Sequence, residues 1–329
     1  MIFESQGMFN GDYKKALPYY NDFVVPGFAK AYPIGIFKCL SFSDRTTEQW
    51  FNTFVVKIKD SIGKTFLPIF RMSDGEYQFC VGYRYPRRQI DEPLWRFIIR
   101  TVWRLVNRFK AKVFTDRLVG GGAGYISTNY TKSELKSLRI TYAEQLKRIS
   151  NQGIMALHFT DRIKAPCKKQ FQQQYITPML KWLNENNIVI NEKNYFPFYF
   201  VYALLRGDCR RQLYESRRIL VITSYDQTKR EAIERGLKSE GVADVQFIPL
   251  SVGRSMYDTI DLFNIKKPID IVLVGGGVGA SNILCQLESL NTVAIDAGYV
   301  IECLANPELK KQRTFCWPDE ERQGNYDPI

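Results

Sequence analysis

The sequence holds a single histidine, His158, so a Ser-His-Asp or Cys-His mechanism would have to run through that one residue. No G-x-S-x-G elbow accompanies it, which argues against hydrolase chemistry of that class. His158 follows the apolar Ala156-Leu157 and reads either as a buried structural residue or as a site base. The seven cysteines are scattered from Cys39 to Cys316 and never form C-x-x-C, which leaves no basis for a disulfide framework or a zinc knuckle and fits a reducing compartment. Long apolar runs are missing too. The longest, about residues 196–205, falls well short of the roughly 20 residues that a bilayer-spanning helix needs. The start, Met1-Ile2-Phe3-Glu4-Ser5, has neither the basic nor the apolar part of a secretory signal, so a cytoplasmic protein is expected. There is no internal repeat and no low-complexity linker.

What is present is material for a packed core and a surplus of positive charge. Of 329 residues, 45% are hydrophobic and 14% aromatic, enough for a large α/β unit. Lys plus Arg exceed Asp plus Glu by 46 to 34, a formal charge of +12 that favours anionic partners: nucleotides, nucleic acid or an anionic membrane face.

Residues 1–45 lack sustained periodicity and read as an irregular N-terminal extension with one short helix at most. Residues 46–329 read as a single α/β domain. Helices are expected at about 47–62, from 76 onward, and at 93–110, 133–150 and 171–187, with a buried strand at 65–70. The last third alternates short β-rich runs, near 218–223, 245–250, 269–274 and 292–296, with helical stretches. That alternation predicts a Rossmann-like, mostly parallel sheet flanked by helices, concentrated in residues 217–305. Ligands of such sheets sit beyond the carboxyl ends of the strands, so Ser224-Tyr225-Asp226, Ser251-Val252-Gly253-Arg254, the glycines after Val274 and Asp296 should share one rim.

Four patterns carry chemistry or contact. Arg71-Met72-Ser73-Asp74-Gly75-Glu76 sets two hard-oxygen ligands around a glycine just past a strand, suited to Mg²⁺ or Mn²⁺ on a diphosphate, with Arg71 able to pair with phosphate oxygens. Ser73-x-x-Glu76 equally fits a helix capping box. Val274-Gly275-Gly276-Gly277-Val278-Gly279-Ala280-Ser281-Asn282 contains G-x-G-x-x-A with Asp296 further on, formally a dinucleotide fingerprint whose glycines admit a phosphate or ribose to the backbone. Its late position, with 33 residues after Asp296, speaks against a dehydrogenase. In the segment 94–110, Arg96, Arg100, Arg104 and Arg108 recur every four residues beside Trp95, Ile99, Val102, Trp103 and Val106. That pattern suits docking on anionic lipid, or a core helix whose arginines reach water. The fourth is His158.

Phe70-Arg71-Met72-Ser73-Asp74-Gly75-Glu76 resembles the R-F-G-D-G-E signature of the bacterial GT-D glycosyltransferases, a DUF1792-type family. Independently, Ile248-Pro249-Leu250, the glycine-rich turn from Val274 to Asn282, and Ala294-Ile295-Asp296-Ala297-Gly298-Tyr299 resemble that family's closing I-P, glycine turn and I-D-x-G-H. The likeness covers residues 65–85 and 217–305. It departs from the pattern at Ser73, where a Gly is usual, and at Tyr299, where His is common. The resemblance implies a GT-D-type fold and a metal-dependent hexosyltransferase-like enzyme. Mn²⁺ or Mg²⁺ would sit on Asp74 and Glu76, and a nucleotide-diphosphate sugar, UDP-linked by expectation, would be the donor. By the same likeness Asp74, Glu76 and Asp296 are candidate catalytic residues, and Arg71, Ser73, Gly275, Gly276, Gly277, Gly279 and Asn282 candidate binding residues. Asp296, Glu302 and His158 are candidate bases. The acceptor would be a glycan, glycoprotein or lipid-linked glycan, as in polysaccharide biosynthesis, with peripheral contact to an anionic membrane at its inner face and no nucleic acid. Two other readings stand beside it: a Rossmann-type enzyme using NAD or S-adenosylmethionine, and a non-catalytic basic protein that binds membrane or nucleic acid.

Overall fold

The computed structural model describes residues 20–23, 37–42, 45–72, 74–81, 94–95, 98–99, 101–103, 106, 130–157, 159–162, 179–207, 209–263, 265, 267–298 and 300–305. Ser73, His158 and Tyr299 lie outside them, and the helix at Asp74 is described without the side chains of Asp74 and Gln78.

Two short strands, β1 (Tyr20–Phe23) and β2 (Phe37–Leu40), pair antiparallel, and β2 pairs in turn with β5 (Thr160–Arg162). The N-terminal region expected to be irregular therefore contributes two strands of a three-stranded sheet. Lone strands need such partners, because each is too short to be stable by itself. Helix α1 (Thr47–Ser61) begins at a capping box in which Thr46 and Gln49 satisfy each other's amides. It buries Trp50, Phe51, Phe54, Val55 and Ile58 along one face.

The main sheet has seven strands, all parallel. They are β3 (Leu67–Met72), β4 (Ile154–Leu157), β6 (Tyr195–Pro197), β7 (Arg218–Thr223), β8 (Asp244–Pro249), β9 (Ile271–Gly275) and β10 (Val293–Asp296), in the spatial order 6-4-3-10-9-7-8. Strands β3, β4 and β10 are buried at every residue, as expected of parallel strands covered on both faces. Edge strand β8 is only half-buried. The four late strands match the β-rich runs of the sequence. Strands β4 and β6 were not expected. β4 follows the 21-residue helix α3 (Lys132–Gln152) after one residue, Gly153, and its four residues are too few to show a strand pattern of their own. A side chain at 153 would strike the Pro68 carbonyl oxygen at 2.0 Å, so that glycine lets the helix end against β3.

The apolar run near 196–205 is the end of β6 and helix α4 (Tyr199–Arg206), which is buried from Tyr199 through Leu205. Helix α2 (Asp74–Val81) follows β3 directly. Further helices are α5 (Arg210–Tyr214), α6 (Gln227–Ser239), α7 (Ala280–Leu284) and α8 (Val300–Ala305), and helical residues also occur within 94–106 and at 179–185. Among the described residues no helix is long and apolar enough to cross a membrane.

Strand order reverses twice: β3 has β4 on one side and β10 on the other, and β7 lies between β8 and β9. Crevices open at such reversals, beyond the strands' carboxyl ends. At the opposite end, Arg218 clamps the sheet by donating from its amide and guanidinium to Asp270, at 2.8, 3.0 and 2.8 Å. This holds the Asp270 carboxyl below the usual carboxylate range.

Helices α6 and α8 pack closely at Gly236, where an added Cβ would lie 2.1 Å from the Leu304 carbonyl oxygen. Alanine is the better helix former by about 1 kcal/mol, yet Gly236→Ala should destabilise the protein by roughly 1–3 kcal/mol because backbone blocks the methyl. Chemical denaturation checks this, and a neutral or stabilising result would mean that the two helices do not approach so closely.

Candidate functional site

The carboxyl ends of β3 and β10 carry a buried charge cluster. Arg71, next to the end of β3, is 3% exposed. Its guanidinium Nη1 donates to the Tyr202 hydroxyl at 2.9 Å and lies over that ring at 5.5 Å. Gly298 covers it: a Cβ there would be 2.1 Å from Arg71 Nη2, and the backbone at 298 is left-handed, with φ +51°. Glycine answers both demands. Arg71 is thus inside the protein, where it sets the charge balance of its neighbours, and it does not stand open on the rim for phosphate.

Asp296, the last residue of β10, is fully buried. Its Oδ2 accepts from the Arg71 amide at 3.3 Å, and Oδ1 has no hydrogen-bond partner among the described residues. Burial pushes its carboxyl up to about 7, against the pull of the Arg71 guanidinium and with a further push from Glu76. Glu76, on α2, is also buried. Burial raises the Cys80 thiol and the Tyr142 hydroxyl well above their ordinary values, and the Glu76 charge adds to both. The Tyr142 hydroxyl, like Asp296 Oδ1, lacks a hydrogen-bond partner among the described residues. Buried polar atoms are rarely left so, and two around one pair of carboxylates mark a place where an ion, a water or a ligand atom would be held.

The glycine turn follows β9 as a 3₁₀ turn, Gly277–Gly279, leading into α7. Its glycines serve different ends. A Cβ at 279 would lie 2.2 Å from Ser255 Oγ, and one at 275 would crowd Ile301 Cδ1 at 3.0 Å and Thr223 Oγ1 at 3.3 Å. Both are required by packing. Gly277 is left-handed, with φ +54°, and a Cβ there would meet nothing within 4 Å, so this is where the backbone faces open space. The Gly276 carbonyl accepts from Ser255 Oγ at 2.7 Å and from the Gly279 amide at 3.1 Å, which fixes the turn. Helix α7 has only five residues, much less than the long helix that supports pyrophosphate in a dinucleotide fold.

The Asn282 side chain is occupied by the protein itself: Nδ2 donates to the carbonyls of Ser255 at 3.1 Å and Asp258 at 2.9 Å. Beside this loop the Arg254 guanidinium lies over the Tyr130 and Tyr257 rings at 5.4 and 5.0 Å and donates to Glu134 at 2.8 Å. Asp226 caps α6 by accepting from the Lys229 amide at 2.9 Å, and Glu302 pairs with Lys229 at 3.0 Å. The two motifs that sequence separates by about 200 residues do meet, since α2 packs against the Gly277–Gly279 turn. Tyr142, Tyr202 and Ser255 were not expected at the site. Tyr202 lies within an apolar run that signals only core.

A shallow groove along α1, lined by Gln49, Thr53 and Lys57 among others, is made by one helix and brings no strand ends together. Among the described residues no three His, Cys, Asp or Glu side chains cluster as metal ligands. Two hard-oxygen carboxylates in one buried cluster, Glu76 and Asp296, with an orphaned Asp296 oxygen, still suit a small divalent cation in donor chemistry.

No protein-family model matches the chain, and neither does any curated protein. A solved structure, the selenomethionine-substituted form of domain of unknown function 1792, is similar at 12% identity with a TM-score of 0.43, over 85% of this chain and 89% of that one. A likeness of that degree assigns no activity.

Because the folded Asp296 carboxyl lies at about 7, above the ordinary 3.8, the native state holds a proton that the unfolded state gives up. Stability from this group is therefore greatest below pH 4 and declines as pH rises towards and through 7. Denaturation in EDTA should find the wild type less stable at pH 8 than at pH 5 by a few kcal/mol more than Asp296→Asn is. Equal pH dependence in the two proteins would remove the raised value.

Proposed function

We propose that the chain is a metal-dependent glycosyltransferase of GT-D type that takes a sugar from a nucleotide-diphosphate donor, UDP-linked by preference. The observation that carries this reading is the packing of the Asp74–Val81 helix on the Gly277–Gly279 turn at the carboxyl end of a parallel sheet. That packing supports a carboxylate turn and an open glycine backbone acting together on a diphosphate. The resemblance of residues 70–76 and 274–299 to the family's two signatures adds to it.

Asp74 and Glu76 would hold Mn²⁺ or Mg²⁺, and the ion, when bound, would supply positive charge to neutralise a departing nucleotide diphosphate. The open backbone at Gly277 would receive the donor's phosphate or ribose, with the buried Gly276 shaping the turn beside it. Gly275, Gly279 and Asn282 would act one step back, by holding the shape of that turn through the contacts described above. Arg71 would hold the carboxylates in place and limit their mutual repulsion. Asp296, poised near neutrality with one oxygen unpartnered, would release its proton as a cation arrives beside it. Its depth beneath the rim suits this balancing role better than contact with an acceptor. The short α7 and the packing of Gly279 on Ser255 weigh against NAD or S-adenosylmethionine as the ligand.

The test is donor hydrolysis across UDP-, GDP-, TDP- and CMP-sugars with and without Mn²⁺. One nucleotide should be released in a metal-dependent way. Glu76→Gln, which keeps shape and removes charge, should lower that rate by about 100-fold or more with little change in melting temperature. Silence across the panel, or greater thermal stabilisation by NAD or S-adenosylmethionine than by UDP with Mn²⁺, would overturn the proposal.

A further inference from the structure

The helical positions within 94–106 carry an apolar face turned to solvent. Trp95, Ile98, Ile99, Val102, Trp103 and Val106 are each between 44% and 65% exposed. Their spacing of three and four puts them on one side of a helix. Single apolar residues at a surface are ordinary, whereas six on one face, two of them tryptophan, mark a contact surface. Thr101, by contrast, is half-buried.

The charge of the sequence segment that carries this face limits what can cover it. Residues 93–115 contain six Lys or Arg, including Arg96, Arg100, Arg104 and Arg108, and no Asp or Glu, in a chain of net charge +12. A second copy of the chain would bring the same basic segment against itself, with no acid there to answer it. An anionic bilayer answers both features, because acyl chains take the aliphatic and indole surface while headgroups take the guanidinium charge. Tryptophan, with an apolar ring and one N–H, suits that boundary. Nucleic acid would use the charge but leave Ile98, Ile99, Val102 and Val106 without a partner. We propose that residues 94–106 lie along the surface of an anionic membrane with this apolar face among the lipids. The inference is independent of the glycosyltransferase reading.

Flotation of the full chain with phosphatidylcholine vesicles, with and without about one-third phosphatidylserine, tests it. Binding to the phosphatidylserine vesicles should be at least tenfold tighter than to phosphatidylcholine alone and should weaken as salt is raised. Trp103→Glu should cost at least tenfold in binding, and Arg104→Glu should weaken it at the anionic vesicles. Since Trp103 is 65% exposed, its replacement should leave the melting temperature in place; should it not, Ile99→Glu on the same face replaces it. Failure to bind either vesicle, or binding that the face variants do not change, would overturn the proposal. So would a concentration-dependent dimer that Trp103→Glu dissociates, which would assign the face to a second copy.

Discussion

The pairing of β3 with β10 is the constraint on which the rest of the architecture turns. Val293, Ala294 and Ile295 lie opposite Leu67, Pro68 and Ile69, and the Arg71 amide donates to the Asp296 carboxylate 225 residues away. Without this join the sheet would be two pieces: β6, β4 and β3 on one side, and β10, β9, β7 and β8 on the other. The join also builds the site, since Arg71 and Glu76 come from one side and Asp296, Gly298 and the glycine turn from the other. A buried arginine near buried carboxylates is costly to assemble unless the geometry is good. Here Tyr202 and the absent side chain of Gly298 supply that geometry.

The late half of the fold was legible because its signals are local. Residues 218–223, 271–275 and 293–296 are short apolar runs between polar helices, the ordinary appearance of parallel strands. The early half was less so. Ile154–Leu157 is four residues long just after a long helix, and Tyr195–Pro197 is three residues long next to a buried helix, so periodicity had little to work with. Strands β1 and β2 exist through pairing with each other and β5, a tertiary fact that no local pattern states.

The candidate site divides in the same way. Residue types that bear charge, Arg71, Glu76 and Asp296, stood out in the sequence and come together. The depth at which they do so was not legible, because burial belongs to the whole sheet and not to a hexapeptide. The glycine turn shows the same limit. Four glycines in five residues read as one phosphate cradle, yet two are demanded by Ile301 and Ser255, and only the local geometry reveals that Gly277 faces open space. Tyr142 and Tyr202 gave no signal, since an aromatic residue on an apolar helix reads as core whether or not its hydroxyl has work to do.

The long reach of the central pairing bears on how the chain is made. Synthesis runs from the N-terminus, so β3, with all six residues buried in the finished sheet, must wait for more than 200 residues before β10 can cover its edge. During that interval a mostly apolar strand is open to pairing with any other exposed strand, including one from a neighbouring chain. The cell's means of delaying such contacts therefore bears on the yield of this protein as much as its final stability does. A fragment stopped before residue 293 would keep that edge open permanently, with half of the charge cluster and no partner for it.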